Sequence, residues 1–293
     1  MSEKGLSVLL EVVQHFPSDE IRVFIGQDKN VIDDFSEEIA KACLLHGVDS
    51  QIYSPKETIL PDNLEDYIVA ISWRWMVECK KAKLIVFHDS LLPKYRGFNP
   101  LVSMLINCEQ EIGVTALHGA DNYDVGDVIY QQSVPVHYPI KISVAIRELC
   151  KVYASLAGMI CLDMKRNRVL PRHPQIEKEA SYSLWRDRDD YYIDWHDEAS
   201  TIRRTVDALG EPYMGARTKT SAGLVVKIND CIEINDVKIE NRKPGKIIFW
   251  DDEGPTIVCG RGLLKLTKYH IEAEGNKTKD KNLNFRTRFL SRH

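Results

Sequence analysis

Nowhere in its 293 residues does the chain contain eighteen uninterrupted apolar residues, so no membrane-spanning helix is expected. The seven cysteines, at positions 43, 79, 108, 150, 161, 231 and 259, contain no C-x-x-C pair. Their odd number and scatter fit reduced core thiols of a cytoplasmic protein, not a disulfide framework. The nine histidines show no His/Cys ligand spacing, so no metal is expected. No Gly-x-Gly-x-x-Gly follows the first apolar strand, where Ile25-Gly26-Gln27-Asp28 stands instead, which disfavours a nicotinamide dehydrogenase. A basic surplus is missing as well: the net charge is −4, and nucleic acid is therefore a disfavoured partner. The local exception is the tail, where Lys277, Lys279, Lys281, Arg286, Arg288 and Arg292 face only Asp280. That run reads as a solvated terminus. The opening MSEKGLSVLLEVVQHF carries acids and no small-residue cleavage site, and reads as an amphipathic helix and not as a leader.

What is present describes a folded protein. Hydrophobic residues make up 44% and charged residues 28%, an ordinary globular balance, and the length favours two domains. A helix over about 6–16 precedes the strand IRVFIG (21–26) and a helix near 31–46, where Ile32, Phe35, Ile39, Ala42 and Cys43 recur at helical spacing. Strands fit at 49–53, 67–72 and 83–87. A helix at about 99–107, strands at 113–118 and 128–136 and a helix at 141–165 follow. This alternation predicts an α/β sheet with parallel strands covered on both faces. The stretch KRNRVLPRHP is basic, carries two prolines and has no apolar period, which marks a linker. The boundaries follow as 1–165, a linker over 166–196, and 197–293, where a helix near 197–209 precedes short strands separated by turns. Those strands predict a small antiparallel barrel or open sheet.

Ligands of open α/β sheets bind at the carboxyl ends of the strands. His88 lies at such an end, and so does HGADNYDVGD (118–127) after the next core strand. An imidazole titrates near neutral pH and suits proton transfer. A carboxylate from the second loop would orient it, and Asp121, Asp124 and Asp127 compete for that role on spacing alone.

The stretch HDSLLPKYRGFNP followed by GVTALHGADNYDVGDVIYQQ resembles the folate-dependent formyltransferases. That group includes the methionyl-tRNA, glycinamide ribonucleotide and nucleotide-sugar N-formyltransferases. Its members show an Asn-x-His, a Ser-Leu-Leu-Pro loop ending in glycine, and an Asp-x-Gly after a Gly-x-Thr strand. The likeness continues through YYIDWHDEASTIRRTVDALGEPYMGART and the strands beyond, covering nearly all of the chain after residue 20. It implies a Rossmann-like formyltransferase domain with a mostly parallel sheet, followed by a small OB-like β-barrel domain. It also implies N-10-formyl-tetrahydrofolate as co-substrate, with His88 as catalytic histidine and Asp124 as its aspartate. Trp73, Arg74, Trp75, Met76 and Val77, with Asp121 and Tyr123, fall where the resemblance implies folate binding. Ser90, Leu91, Pro93, Tyr95, Arg96 and Gly97 would shape the substrate loop, with Lys94 and Arg96 offered to an anionic phosphate. Asn122 stands where relatives often carry glycine, and is the expected left-handed residue of that turn.

Two departures stand out. Val86 replaces the asparagine two residues before the histidine and has no hydrogen-bond donor, which makes Asn99 and His118 the candidates to replace it. ALHG (116–119) also lacks the usual spacing of apolar and aromatic residues. The expected acceptor is the primary amine of a UDP- or dTDP-linked amino sugar, with Trp185, Tyr191, Tyr192, Trp195 and Tyr213 available to stack a base. The alternatives are methionyl-tRNA and, because of Val86, a non-catalytic folate-binding protein on the same scaffold. A homodimer is compatible with this layout, which fixes no oligomeric state.

Overall fold

The computed structural model describes residues 2–28, 31–53, 67–73, 75, 77, 83–272 and 283–291. The chain divides into two compact units, the first made of 1–101, 110–136 and 143–185, the second of 102–109, 137–142 and 186–293. Most of the expected linker, up to residue 185, therefore belongs to the first unit. No described helix is long and apolar enough to cross a membrane.

The first unit opens with helix α1 (Glu3–Val12), strand β1 (Arg22–Ile25), helix α2 (Ser36–His46) and strand β2 (Asp49–Ile52). Helix α2 begins later than its periodicity suggests. Residues 31–35 are a loop in which Asp34 accepts from the Asp28 and Ser36 backbone N–H groups. Gly47 ends the helix in the left-handed region, at φ 67°, which glycine enters without a side-chain clash. Leu9, Ile25, Ile39, Cys43 and Val48 form a small core under the parallel pair β1 and β2.

The main sheet is built from β3 (Tyr67–Ile71), β4 (Lys83–His88), β6 (Glu111–His118) and β7 (Val128–Pro135), in that spatial order. The pair β3 and β4 is parallel, and β6 and β7 add an antiparallel edge. Strand β6 is buried on both faces along most of its length, as a nearly continuous apolar run requires, with Thr115 its one interior polar residue. The two-residue strand β5 (Arg96–Gly97) pairs in parallel with β8 (Tyr182–Ser183), which brings the expected linker against the Ser-Leu-Leu-Pro loop. Helix α3 (Pro100–Ile106) follows that loop. Helix α4 (Ile142–Lys165) buries Ala145, Leu149, Val152, Tyr153, Leu156 and Ile160 at helical spacing.

In the second unit, helix α5 (Ala199–Ala208) precedes β9 (Ala216–Thr220), β10 (Val225–Ile234), β11 (Ile247–Asp251), β12 (Gly254–Val258), β13 (Leu263–Glu272) and β14 (Phe289–Leu290). They form one antiparallel sheet in the order β11-β12-β13-β10-β9-β14, a half-barrel of OB-like character. Its core holds Trp195, whose indole N–H donates to Thr218 Oγ1 at 2.9 Å and whose ring packs on Phe289 at 5.5 Å. Trp195 and Tyr191 are thus interior residues and not a base-stacking surface, while Lys219 lies over the ring of Tyr192. Trp185, in the first unit, is exposed.

Candidate active site

Strand β4 carries His88 to its carboxyl end, where the side chain is 8% exposed. Its Nε2 lies 2.8 Å from the Tyr95 carbonyl oxygen, which can only accept, so Nε2 carries the proton. Its Nδ1 faces Asp124 Oδ1 at 3.4 Å. With acceptors on both sides, only the imidazolium can donate on both. The ring is thus held between a backbone carbonyl on one side and a carboxylate on the other. Of the three acids that compete in sequence, Asp124 is the one whose carboxylate faces the ring. Asp121 is exposed, and Asp127 pairs with Arg172 at 3.2 Å.

Asp124 is anchored on its other oxygen, where Oδ2 accepts the Gly97 backbone N–H at 2.8 Å. The left-handed residue of this turn is Asp124 itself, at φ 58°, and not Asn122. A non-glycine residue held there costs on the order of 1–3 kcal/mol, which the surrounding contacts must offset. One of those contacts is Gln175, whose Nε2 donates to the carbonyls of Asp124 and Gly126, both at 2.8 Å. Gly126 is required by space: a Cβ there would lie 1.8 Å from the His118 carbonyl oxygen. Gly126→Ala is expected to cost about 1–3 kcal/mol by overpacking, read as a lower urea midpoint, because backbone and not a flexible side chain must move.

The loop between β4 and α3 is rigid for visible reasons. Ser90 Oγ donates to the Lys94 carbonyl at 2.7 Å, and Thr115 Oγ1 donates to the Ser90 carbonyl at 2.6 Å. Leu91 fills the space above Gly113. The Leu92–Pro93 peptide is cis, and the Pro93 carbonyl accepts from the Ser181 N–H. Tyr95, left-handed at φ 58°, donates its N–H to Ser181 Oγ at 2.9 Å, which aims its carbonyl at His88. Arg96 corrects the expectation of a phosphate contact. It is 2% exposed, and its guanidinium is spent on Glu177 at 2.8 Å and Gln175 at 2.9 Å. Lys94 remains exposed. Gly97, at φ 98°, leaves 2.6 Å between a would-be Cβ and the Ser183 carbonyl, so the β5 to β8 pairing needs glycine there. Gln175, Glu177 and Ser181 were not legible as site residues, because they lie in a segment with no period and no motif.

Of the implied folate residues, Arg74 and Met76 lie outside the described residues. Trp73 and Trp75 follow the end of β3, beside His88 in the sheet order, and form a cluster with Tyr53. Ring separations there are 4.6 Å for Tyr53 to Trp73 and 4.8 Å for Trp73 to Trp75. The cluster covers Gly26, where a Cβ would lie 3.0 Å from Trp75. The indole N–H of Trp73 is buried without a hydrogen-bond partner among the described residues. Such a group costs about 1–3 kcal/mol until an acceptor arrives, and a pterin or amide carbonyl is an acceptor of the right kind. Val77 is half-buried. Tyr123 is 50% exposed and packs against Phe98, itself 38% exposed, at 5.8 Å. Because Tyr123 precedes Asp124 and Phe98 follows Gly97, this aromatic pair flanks the Gly97 to Asp124 hydrogen bond.

His118 is not placed to replace the missing asparagine. It pairs across the sheet with Ile85, so it shares the face of Ile85 and Phe87, opposite to that of Val86 and His88. Its Nε2 meets the Pro171 carbonyl at 2.9 Å.

Behind the histidine lies a second polar group. Asp89 is ion-paired with Lys4 and accepts from the Tyr153 hydroxyl at 2.6 Å. Burial alone would raise its pKa, but the Lys4 ammonium, with hydrogen bonds from Lys4 and Tyr153, outweighs that and holds it below the usual 3.8. A depressed folded value means that the unfolded chain takes up the proton first. The stability this carboxylate supplies is therefore present above pH 3.8 and lost as pH falls through the folded value. Urea titrations at decreasing pH should show this acid loss in the wild type and less of it in Asp89→Asn.

Residues 67–143 match the family "Formyl transferase", and residues 186–285 match "Formyl transferase, C-terminal domain". The methionyl-tRNA formyltransferase of Natranaerobius thermophilus is 25% identical over 265 residues, covering 89% of this chain and 77% of that one. Among solved structures, the N-formyltransferase of Helicobacter canadensis in complex with folinic acid and dTDP-3-aminofucose superposes with a TM-score of 0.66. It is 16% identical and covers 90% of this chain and 96% of its own. HypX of Aquifex aeolicus in complex with tetrahydrofolic acid gives 0.61 at 20% identity, over 86% of this chain. The chain spans only 44% of HypX. Two matched segments in family order, over a fold shared with formyltransferase structures, place this chain in the folate-dependent formyltransferase family.

Proposed function

We propose that this protein transfers a formyl group from N-10-formyl-tetrahydrofolate to the primary amine of a nucleotide-linked amino sugar, UDP- or dTDP-linked. The observation that carries the reading is the His88 and Asp124 pair at the carboxyl end of β4, with Nδ1 3.4 Å from the carboxylate. The acceptor nitrogen forms a bond to the formyl carbon, and the bond from that carbon to N10 breaks. The proton leaving the acceptor amine ends on N10, passing by way of Asp124 and water. His88, held between the Tyr95 carbonyl and Asp124, lines the place where the oxyanion forms between the two steps. The buried Trp73 N–H supports folate as the donor, since a bound pterin would satisfy it. The exposed Phe98 and Tyr123 rings support an acceptor with a planar or apolar face, and the net charge of −4 speaks against a large polyanion.

A second reading has a specific observation in its favour. The curated relative from Natranaerobius thermophilus is a methionyl-tRNA formyltransferase, which keeps methionyl-tRNA as the alternative acceptor. The deciding experiment is release of tetrahydrofolate from N-10-formyl-tetrahydrofolate with a panel of UDP-, dTDP- and GDP-linked amino sugars and with methionyl-tRNA. Turnover with one sugar is the expected result. Turnover with tRNA alone would reverse the ranking, and silence with both would leave a non-catalytic folate-binding scaffold.

A further inference from the structure

We propose that Lys4, Asp89 and Tyr153 form a clamp that sets the His88 imidazole, making helix α1 a positioning element of the active site. This rests on the formyl-transfer reading above.

The clamp grips both neighbours of His88. Asp89, the next residue, has both carboxylate oxygens taken. Oδ2 is paired with the Lys4 ammonium from α1, and Oδ1 accepts from the Tyr153 hydroxyl of α4 at 2.6 Å. Phe87, the preceding residue, stacks on the same Tyr153 ring, with centroids 5.4 Å apart and planes at 21°. On a strand, residues on either side of a given position point to the opposite face. Phe87 therefore faces away from His88, and Asp89, the first residue past the strand, is held by Lys4 of α1 and Tyr153 of α4, while His88 reaches Tyr95 and Asp124.

Stability alone does not account for this group. Lys4 is 6% exposed and Tyr153 1%. Burying an ammonium and a carboxylate costs desolvation that their attraction only roughly repays, and apolar residues in their place are often neutral or better. What the charged and hydroxyl groups add is direction, because each bond has a narrow range of distance and angle. The same helix start also reaches the implied folate loop, where Ser2 Oγ donates to Ser72 Oγ at 2.9 Å. Residues at both ends of the reacting centre are thus tied to α1, a helix that carries none of the family motifs.

The test separates positioning from mere folding. Lys4→Met alone strands the Asp89 carboxylate, so the informative variant is Lys4→Met with Asp89→Leu, which removes both charges together. The expected result is a melting temperature close to wild type, with kcat lowered about 10- to 100-fold, the scale of a small misplacement of a catalytic group, and KM for N-10-formyl-tetrahydrofolate unchanged. Wild-type kcat in the double variant would overturn the proposal. If the double variant melts below the assay temperature, Tyr153→Phe carries the test with the same readings, since it keeps the ring stack on Phe87 and removes only the hydroxyl. If the wild type turns over no acceptor, the formyl-transfer reading fails, and the clamp is judged by crystallography of the variant. A His88 ring that has left Asp124 and Tyr95 upholds it, and an unmoved ring overturns it.

Discussion

His88→Ala and Asp124→Asn should each lower formyl transfer by about 100- to 10,000-fold, the range that a positioned acid or base contributes, while leaving folate binding and the melting temperature near wild type. The structure sets these expectations separately. Removing His88 leaves the Tyr95 carbonyl and the Asp124 carboxylate without the ring between them, so the reacting centre loses its proton-transfer group. Asp124→Asn keeps the shape of the turn and can still accept the Gly97 N–H, now at 2.8 Å, through its amide oxygen. It removes the negative charge that lies 3.4 Å from Nδ1. The two residues act on the same proton and charge, so the double variant should fall little further than the worse single one. Steady-state release of tetrahydrofolate, with folate affinity measured by calorimetry on the same samples, reads all of this. Turnover unchanged in both single variants would remove the pair from the chemistry. A loss confined to folate affinity would make them binding residues.

The parts of this site that the sequence exposes are those that sit in regular elements or in turns with a demanding geometry. Strand β4 is legible because Leu84, Ile85, Val86 and Phe87 form an apolar run that stops at a histidine, and Gly97 and Gly126 mark places where backbone approaches backbone. Helix α4 is legible from its period alone. What stays hidden is whatever depends on pairing between distant segments. Gln175, in a segment without a period, holds the carbonyls of Asp124 and Gly126 and the Arg96 guanidinium at once. No local pattern announces a side chain with three partners, each about fifty or more residues away. Arg96 is misread for the same reason: in isolation an arginine in a loop looks available to phosphate, and its burial becomes evident only when β8 is laid beside β5. The left-handed residue is misassigned because asparagine tolerates that backbone best, yet the turn places the conformation at Asp124, where neighbouring contacts over-determine it. Lys4 reads as an ordinary surface lysine of an amphipathic helix until its partner Asp89, 85 residues on, is in place.

Val86→Asn should raise kcat, by up to about 100- to 1000-fold if the missing amide is the limiting donor, since that is what one oxyanion donor is typically worth. The register supports the placement. Val86 shares a strand face with His88, two residues on, and its cross-strand neighbours are Ala70 and Leu117. His118 lies on the opposite face and cannot compensate from there. The substitution carries a cost in the unliganded protein, because Ala70 and Leu117 are buried and offer an amide no side-chain partner. An unsatisfied amide in such surroundings costs about 1–3 kcal/mol, so the melting temperature should fall while turnover rises. Those opposite signs identify a group that is idle in the ground state and engaged in the transition state, the condition for an interaction to accelerate chemistry and not merely binding. The decisive comparison is kcat and melting temperature for Val86→Asn against Val86→Leu, which perturbs packing without adding a donor. A rise in kcat confined to the asparagine variant would identify the oxyanion as the weak point of the natural chain. A fall in both variants would mean that the oxyanion is already held by another group on the His88 face, and that Val86 packs against the substrate.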